Sequence, residues 1–185
     1  MSPAVYSSFV VALWFIDRAL DDGEYIQPQK LQRLLYLSQA YYAVANRGRK
    51  LMPAVFLADE YGPIEPNVFH MFETGRPMIE PRRIPDNAAH FLDSIWRRFG
   101  AHSADHLTRV LTAHPPFRDA LAKGPRTEIP LAEMQIFYGN PPGAAPGPDT
   151  PAIGDILRPR VLRSQTGKPV QVRSWTPPSK TVPKK

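Results

Sequence analysis

Two histidines four residues apart, His102 and His106 in AHSADH, have the spacing in this chain that comes nearest to a metal site. Imidazoles at i and i+4 of one helix can share a ligand face. Ser103, however, reads as the cap that starts the helix, which leaves His102 outside it. Asp105 then falls in the first turn, where negative charge suits the helix dipole. No third ligand follows in the pattern, so no metal is expected. Asp59, Glu60 and Glu65 could supply paired carboxylates, but a solvated loop edge is the simpler reading. His70 and His114 read as ordinary surface or packed histidines. No nucleophile has a base beside it. The motifs G-x-x-x-x-G-K-[ST], G-x-G-x-x-G and G-x-S-x-G are all missing. There is no cysteine, which removes disulfides, thiolate zinc sites, iron–sulfur clusters and cysteine nucleophiles together. The expectation is a protein that is not an enzyme, with no catalytic residues and no cofactor.

A different kind of chemistry is written in LQRLLYLSQAYY at 31–42. On a helix, Leu31, Leu34, Leu35, Ser38, Tyr42 and Ala45 share one face, flanked by Lys30, Arg33, Leu37, Ala40 and Val44. The remaining stripe, Gln29, Gln32, Tyr36, Gln39, Ala43 and Asn46, is polar but uncharged. A solvated face usually carries Lys and Glu. Amides and a phenol can be buried, provided each finds a hydrogen-bond partner. One reading has Gln32, Tyr36 and Gln39 satisfying irregular backbone around EYGPIEP. The other has them lining a partner groove. The first is favoured, because buried polar groups normally find intramolecular partners. The turn itself is rigid: Pro63 biases Gly62 toward extended backbone and Pro66 can open a helix. It projects Tyr61, Ile64 and Glu65, and a rigid loop is a low-entropy binding surface.

The elements that hold these residues are mostly helical. Periodicity predicts helices over roughly 4–21, 28–47, 86–99, 104–113 and 115–123, a short one from Pro66, and a last one after Pro130. PAVFLADEYGP, with alternating residues between prolines, reads as a short strand or extended stretch. The fold class is therefore mainly α, a multi-helix domain with a minor β element.

Composition divides the 185 residues in two. Residues 1–139 carry 15 Lys/Arg and 15 Asp/Glu, so the net charge of +6 lies wholly in 140–185. That tail also holds 10 of the 22 prolines, and it reads as disordered unless a partner binds it. Ile156, Leu157 and Trp175 are its candidate partner anchors. A basic tail could touch phosphates without sequence preference, so a nucleic-acid-binding regulator is the alternative function. Arg47, Arg49 and Lys50 form only a small cluster at a helix end, and no recognition helix stands out. No run reaches the roughly 18 apolar residues of a membrane span, and no basic residue precedes FVVALWFI as in a signal peptide. No membrane association and a cytoplasmic location are expected.

KLQRLLYLSQAYYAVANRGRKLM followed by FLADEYGPIEPNVFHMF resembles the Panacea domain. The helix motif of that family falls on Lys30, Leu31, Gln32, Arg33, Leu34, Leu35 and Tyr36, and its tyrosine-glycine-proline turn on Tyr61, Gly62, Pro63 and Ile64. LTAHPPFRDALAKG and EIPLAEMQIFYG look like the family's closing region, so the resemblance spans about 5–139. Two departures stand out. Asp59 or Glu60 replaces a common tryptophan, and His114 falls one place later than the family's histidine. The resemblance implies a bacterial or phage antitoxin that neutralises a cognate protein toxin by direct binding. Its SocA-like branch implies a proteolytic adaptor with ClpXP as a second partner. The toxin contact is expected on Tyr61, Gly62, Pro63, Ile64 and Glu65, with Gln32, Tyr36 and Gln39 bracing that turn from beneath.

Overall fold

The uncharged-stripe helix becomes the axis of the molecule. A computed structural model of the chain describes residues 2–73, 75, 83–139 and 149–157, and the backbone of 162–163 and 169–170. The central helix runs Pro28–Ala45 and is buried without interruption from Leu31 to Ala43. Taking the helices in chain order it is α2. Pro28 sits at its first turn, where the missing N–H is not needed. Beyond the last turn Arg47 and Gly48 take positive φ, and the Gly48 N–H returns to the Ala43 carbonyl at 2.8 Å.

Around α2 pack α1 (Ser8–Asp21), α3 (Pro66–Phe72), α4 (Asp86–Phe99), α5 (Ala104–Ala113) and α7 (Leu131–Tyr138), while α6 (Pro115–Lys123) packs against α5 and α7. The mainly α fold class expected from periodicity is what forms. Helix α1 starts later than the predicted position 4. Ser7 caps it through Oγ, which accepts from the Phe9 N–H at 3.2 Å. Ala4 and Val5 instead donate to the carbonyls of Lys50 and Leu51 at 3.0 and 2.7 Å. Arg18 of α1 reaches Asp93 of α4 at 3.4 Å, and the Trp96 indole N–H donates to Asp22 at 2.8 Å.

The extended stretch forms a three-stranded antiparallel sheet in the order β2-β1-β3. Strand β1 is Phe56–Asp59, β2 is Gly62–Ile64 and β3 is Thr127–Ile129. Leu57 pairs with Ile64 on one side and with Glu128 on the other. The Tyr61–Gly62 corner is thus the tip of a β-hairpin, and β2 is an edge strand.

The tail does not begin where the packed domain ends. A short helix, α8 (Ile153–Ile156), docks against α2 and α4. Ile156 is 3% exposed and belongs to the common core, and the Tyr41 hydroxyl donates to the Pro151 carbonyl at 3.2 Å. The stretch 149–157 therefore departs from the expected disordered tail, because Pro151 and Ile156 bury apolar surface on the domain. Further on, β4 (Leu162–Arg163) and β5 (Pro169–Val170) form a short antiparallel ladder. No helix among the described residues is long and apolar enough to cross a membrane.

Candidate functional site

The residue that builds the candidate site is Arg33, the sole charge between Leu31 and Ala45. It is almost fully buried on α2. Its guanidinium donates to the Tyr61 carbonyl, to the Pro63 carbonyl at 2.9 Å and to Thr108 Oγ1 at 3.0 Å. These two carbonyls lie on the outer edge of β2, since Gly62 and Ile64 face β1. The planar fork of an arginine suits two carbonyls spaced along one strand. Burial pushes its pKa down to about 10, partly offset by Asp59, so the cation persists at neutral pH.

Gly62 is what lets the guanidinium come so close. Its φ of +116° favours glycine, and a Cβ there would lie 2.6 Å from an Arg33 nitrogen. The next contact along the turn comes from Gln32, whose Oε1 accepts the Glu65 N–H at 2.8 Å. Glu65 is buried and caps α3: its Oε2 accepts from the Val68 N–H at 2.6 Å and its Oε1 from Asn67 at 3.0 Å.

Gln39, expected beneath the same turn, holds a different loop. Its Oε1 accepts from the N–H groups of Leu51 and Met52, both at 3.1 Å, and its Nε2 donates to the Met52 carbonyl. Tyr36 enters the aromatic core, edge-on to Phe56 at 5.5 Å and to Tyr138 at 6.1 Å. Burial raises the pKa of its phenol, so it stays neutral. His114 joins this cluster. Its Nδ1 lies 2.9 Å from the Tyr138 hydroxyl, and burial pushes its pKa down to about 4.

The expected contact surface at the turn narrows sharply. Gly62, Pro63, Ile64 and Glu65 are all buried, whereas Tyr61 is 71% exposed. The correction has a plain cause: β2 is buried on both of its faces, and capping of α3 turns Glu65 inward. Two clefts flank Tyr61. One, of about 620 Å³, lies between the hairpin and the α5–α6 pair and is lined by Arg33, Tyr61, Thr108, Phe117 and Leu121. The other, of about 300 Å³, lies toward α3 and is lined by Leu31, Tyr61, Ile64, Phe69 and Phe72.

Of the tail anchors, Ile156 is buried within its own domain and is not free for a partner, Leu157 is exposed, and Trp175 lies outside the described residues. His102 and His106 do face one another, with rings stacked 4.5 Å apart, although His102 precedes the helix. Asp149 lies 4.0 Å from His106 Nε2. No group of three metal-binding side chains occurs among the described residues.

Arg33 was legible in one respect: a lone charge inside a long run of core residues needs a buried acceptor set. Periodicity alone placed it on a flank of the helix. Against known proteins, no family model, curated protein or solved structure matches this chain.

Proposed function

We propose that this protein is a cytoplasmic antitoxin that neutralises a cognate protein toxin by direct contact. The observation that carries the reading is the presentation of Tyr61. It stands in solvent between two clefts, on a hairpin tip whose backbone is pinned by Arg33, with Gln32 holding the Glu65 N–H just beyond β2. An exposed aromatic on a pre-organised loop loses little entropy on binding, and tyrosines are frequent anchors of protein interfaces. The ordered pair of Panacea-like motifs supports the same reading, because the helix motif and the turn motif are the two segments joined by those contacts. Delivery of the captured toxin to ClpXP is the step that the SocA-like branch adds.

The test is co-expression with the product of the neighbouring gene. That product should arrest growth alone and be harmless with this protein, and Tyr61→Asp should weaken the rescue. A neighbour that is not toxic, or rescue without a complex, would reject the reading. A toxin half-life that shortens only when ClpXP is present would mark delivery.

The alternative is a nucleic-acid-binding regulator, favoured by the placement of the whole +6 excess in 140–185. It requires DNA binding that falls steeply with salt. No binding at low salt removes it.

A further inference from the structure

The cleft on the α3 side of Tyr61 does not end at α3. A second depression of about 120 Å³, lined by Ile16, Leu20, Tyr25, Ile26 and Phe72, continues it. The two share Pro28, Leu31 and Phe72, so they form one groove from the hairpin tip to the α1–α2 link. Its margins carry large apolar side chains in solvent: Tyr25 is 82% exposed, Leu20 55% and Phe69 41%. Exposed apolar side chains clustered on one face mark an interaction surface more than scattered ones do.

Two observations choose the occupant. The first concerns hydrogen bonding. An extended segment would bind by adding a strand to an edge, and β2 is the edge that borders the groove. Arg33 already occupies the outward carbonyls of Tyr61 and Pro63, and Pro63 has no N–H to offer. Strand addition there is closed, and what remains is side-chain docking between helical walls. The second concerns charge. Asp59 and Glu73 line the groove, and Asp21 and Glu24 lie exposed on the link between Leu20 and Tyr25. Asp59 is met by Arg126 at 3.1 Å, Glu73 by His70 at 3.0 Å and Glu24 by Lys30 at 3.6 Å. Asp21 has no ion pair among the described residues. Arg33 lines the groove as well, so these four acids stand against the three fixed cations Arg33, Arg126 and Lys30, and the balance is acidic by one charge while His70 is neutral.

We propose that this groove docks an amphipathic helix of a partner protein, with an apolar face filling both depressions and basic residues along its flanks. The inference rests on the antitoxin reading only for the partner's identity, which would be the toxin. Apolar anchors at i, i+3, i+4 and i+7 suit a groove that runs beneath the length of a short helix.

The experiment uses the full chain and two leucine–lysine peptides of equal composition, one patterned for a helix and one strictly alternating. The helical peptide should bind, with amide shifts confined to residues lining the groove. Tyr25→Lys and Phe69→Lys should each weaken it by about tenfold or more, as expected for interface aromatics, with melting temperature unchanged. Equal binding of the alternating peptide, or a footprint elsewhere, would overturn the proposal. So would affinity that ignores both substitutions, or dimerisation of the chain abolished by Tyr25→Lys, which would assign the groove to a second copy. A toxin that both variants still bind and neutralise normally defeats the groove and spares the antitoxin reading. A groove footprint with no toxin neutralised does the reverse.

Discussion

Arg33 and Gly62 form one unit, and each explains the other. Arg33 enters the core because two strand carbonyls and a threonine hydroxyl satisfy it, and Gly62 permits the approach. Gly62→Ala should lower stability in chemical denaturation by about 2 kcal/mol or more, from positive-φ strain and the clash together. Arg33→Leu strips the donor from two carbonyls, at about 1–3 kcal/mol for each buried group left unpaired. Arg33→Lys should recover only part of this, since an ammonium lacks the rigid fork. Denaturation curves unchanged in all three variants would contradict the account. At this scale the sequence was legible where chemistry and periodicity agreed. Leu31, Leu34 and Leu35 are core, and Gln32 does reach the backbone of the turn. Arg33 escaped because its partners lie 28 and 30 residues ahead, a separation that no local pattern encodes.

Helices with strong periodicity were legible nearly to the residue: α4, α5 and α6 start and stop where their caps and prolines indicate. Strand β3 and helix α8, of three and four residues, are too short to show a period and were not read from the sequence. The exposed set at the turn was misjudged for a related reason. All three residues of β2 are buried because β1, α2 and α5 pack around it, and the contacts with α2 and α5 are not local in sequence. Two expectations belong to elements. Glu65→Ala should cost α3 its cap, about 1–2 kcal/mol, and raise amide exchange at Asn67 and Val68. His114 links α6 to α7 through Tyr138, and its pKa is held at about 4 by burial. A depressed folded value means that the unfolded chain takes up a proton which the native state refuses. Its contribution is therefore complete above pH 6.5 and declines as pH falls toward 4. The size is at most about 3 kcal/mol. Burial likewise lowers the pKa of His102, with the same sign. His114→Gln should flatten the pH dependence of the melting temperature, and an unaltered profile would remove His114 from it.

At the scale of the whole molecule, the charge division at 139 and the packing division do not coincide. The stretch 149–157 belongs with the domain through Pro151, Ile156 and the Tyr41 bond. A chain ending after Gly139 should be less stable than one ending after Leu157 by about 2 kcal/mol or more, the value of a buried isoleucine. Equal melting temperatures for the two truncations would show that the docked stretch contributes nothing.

The proposed function is to disarm a toxin by holding it. The most direct measurement is the affinity of the purified full-length chain for the product of the gene beside its own. The expected result is a stoichiometric complex that Tyr61→Asp weakens in parallel with rescue of growth. Neutralisation without any complex, or a complex indifferent to Tyr61, would contradict it.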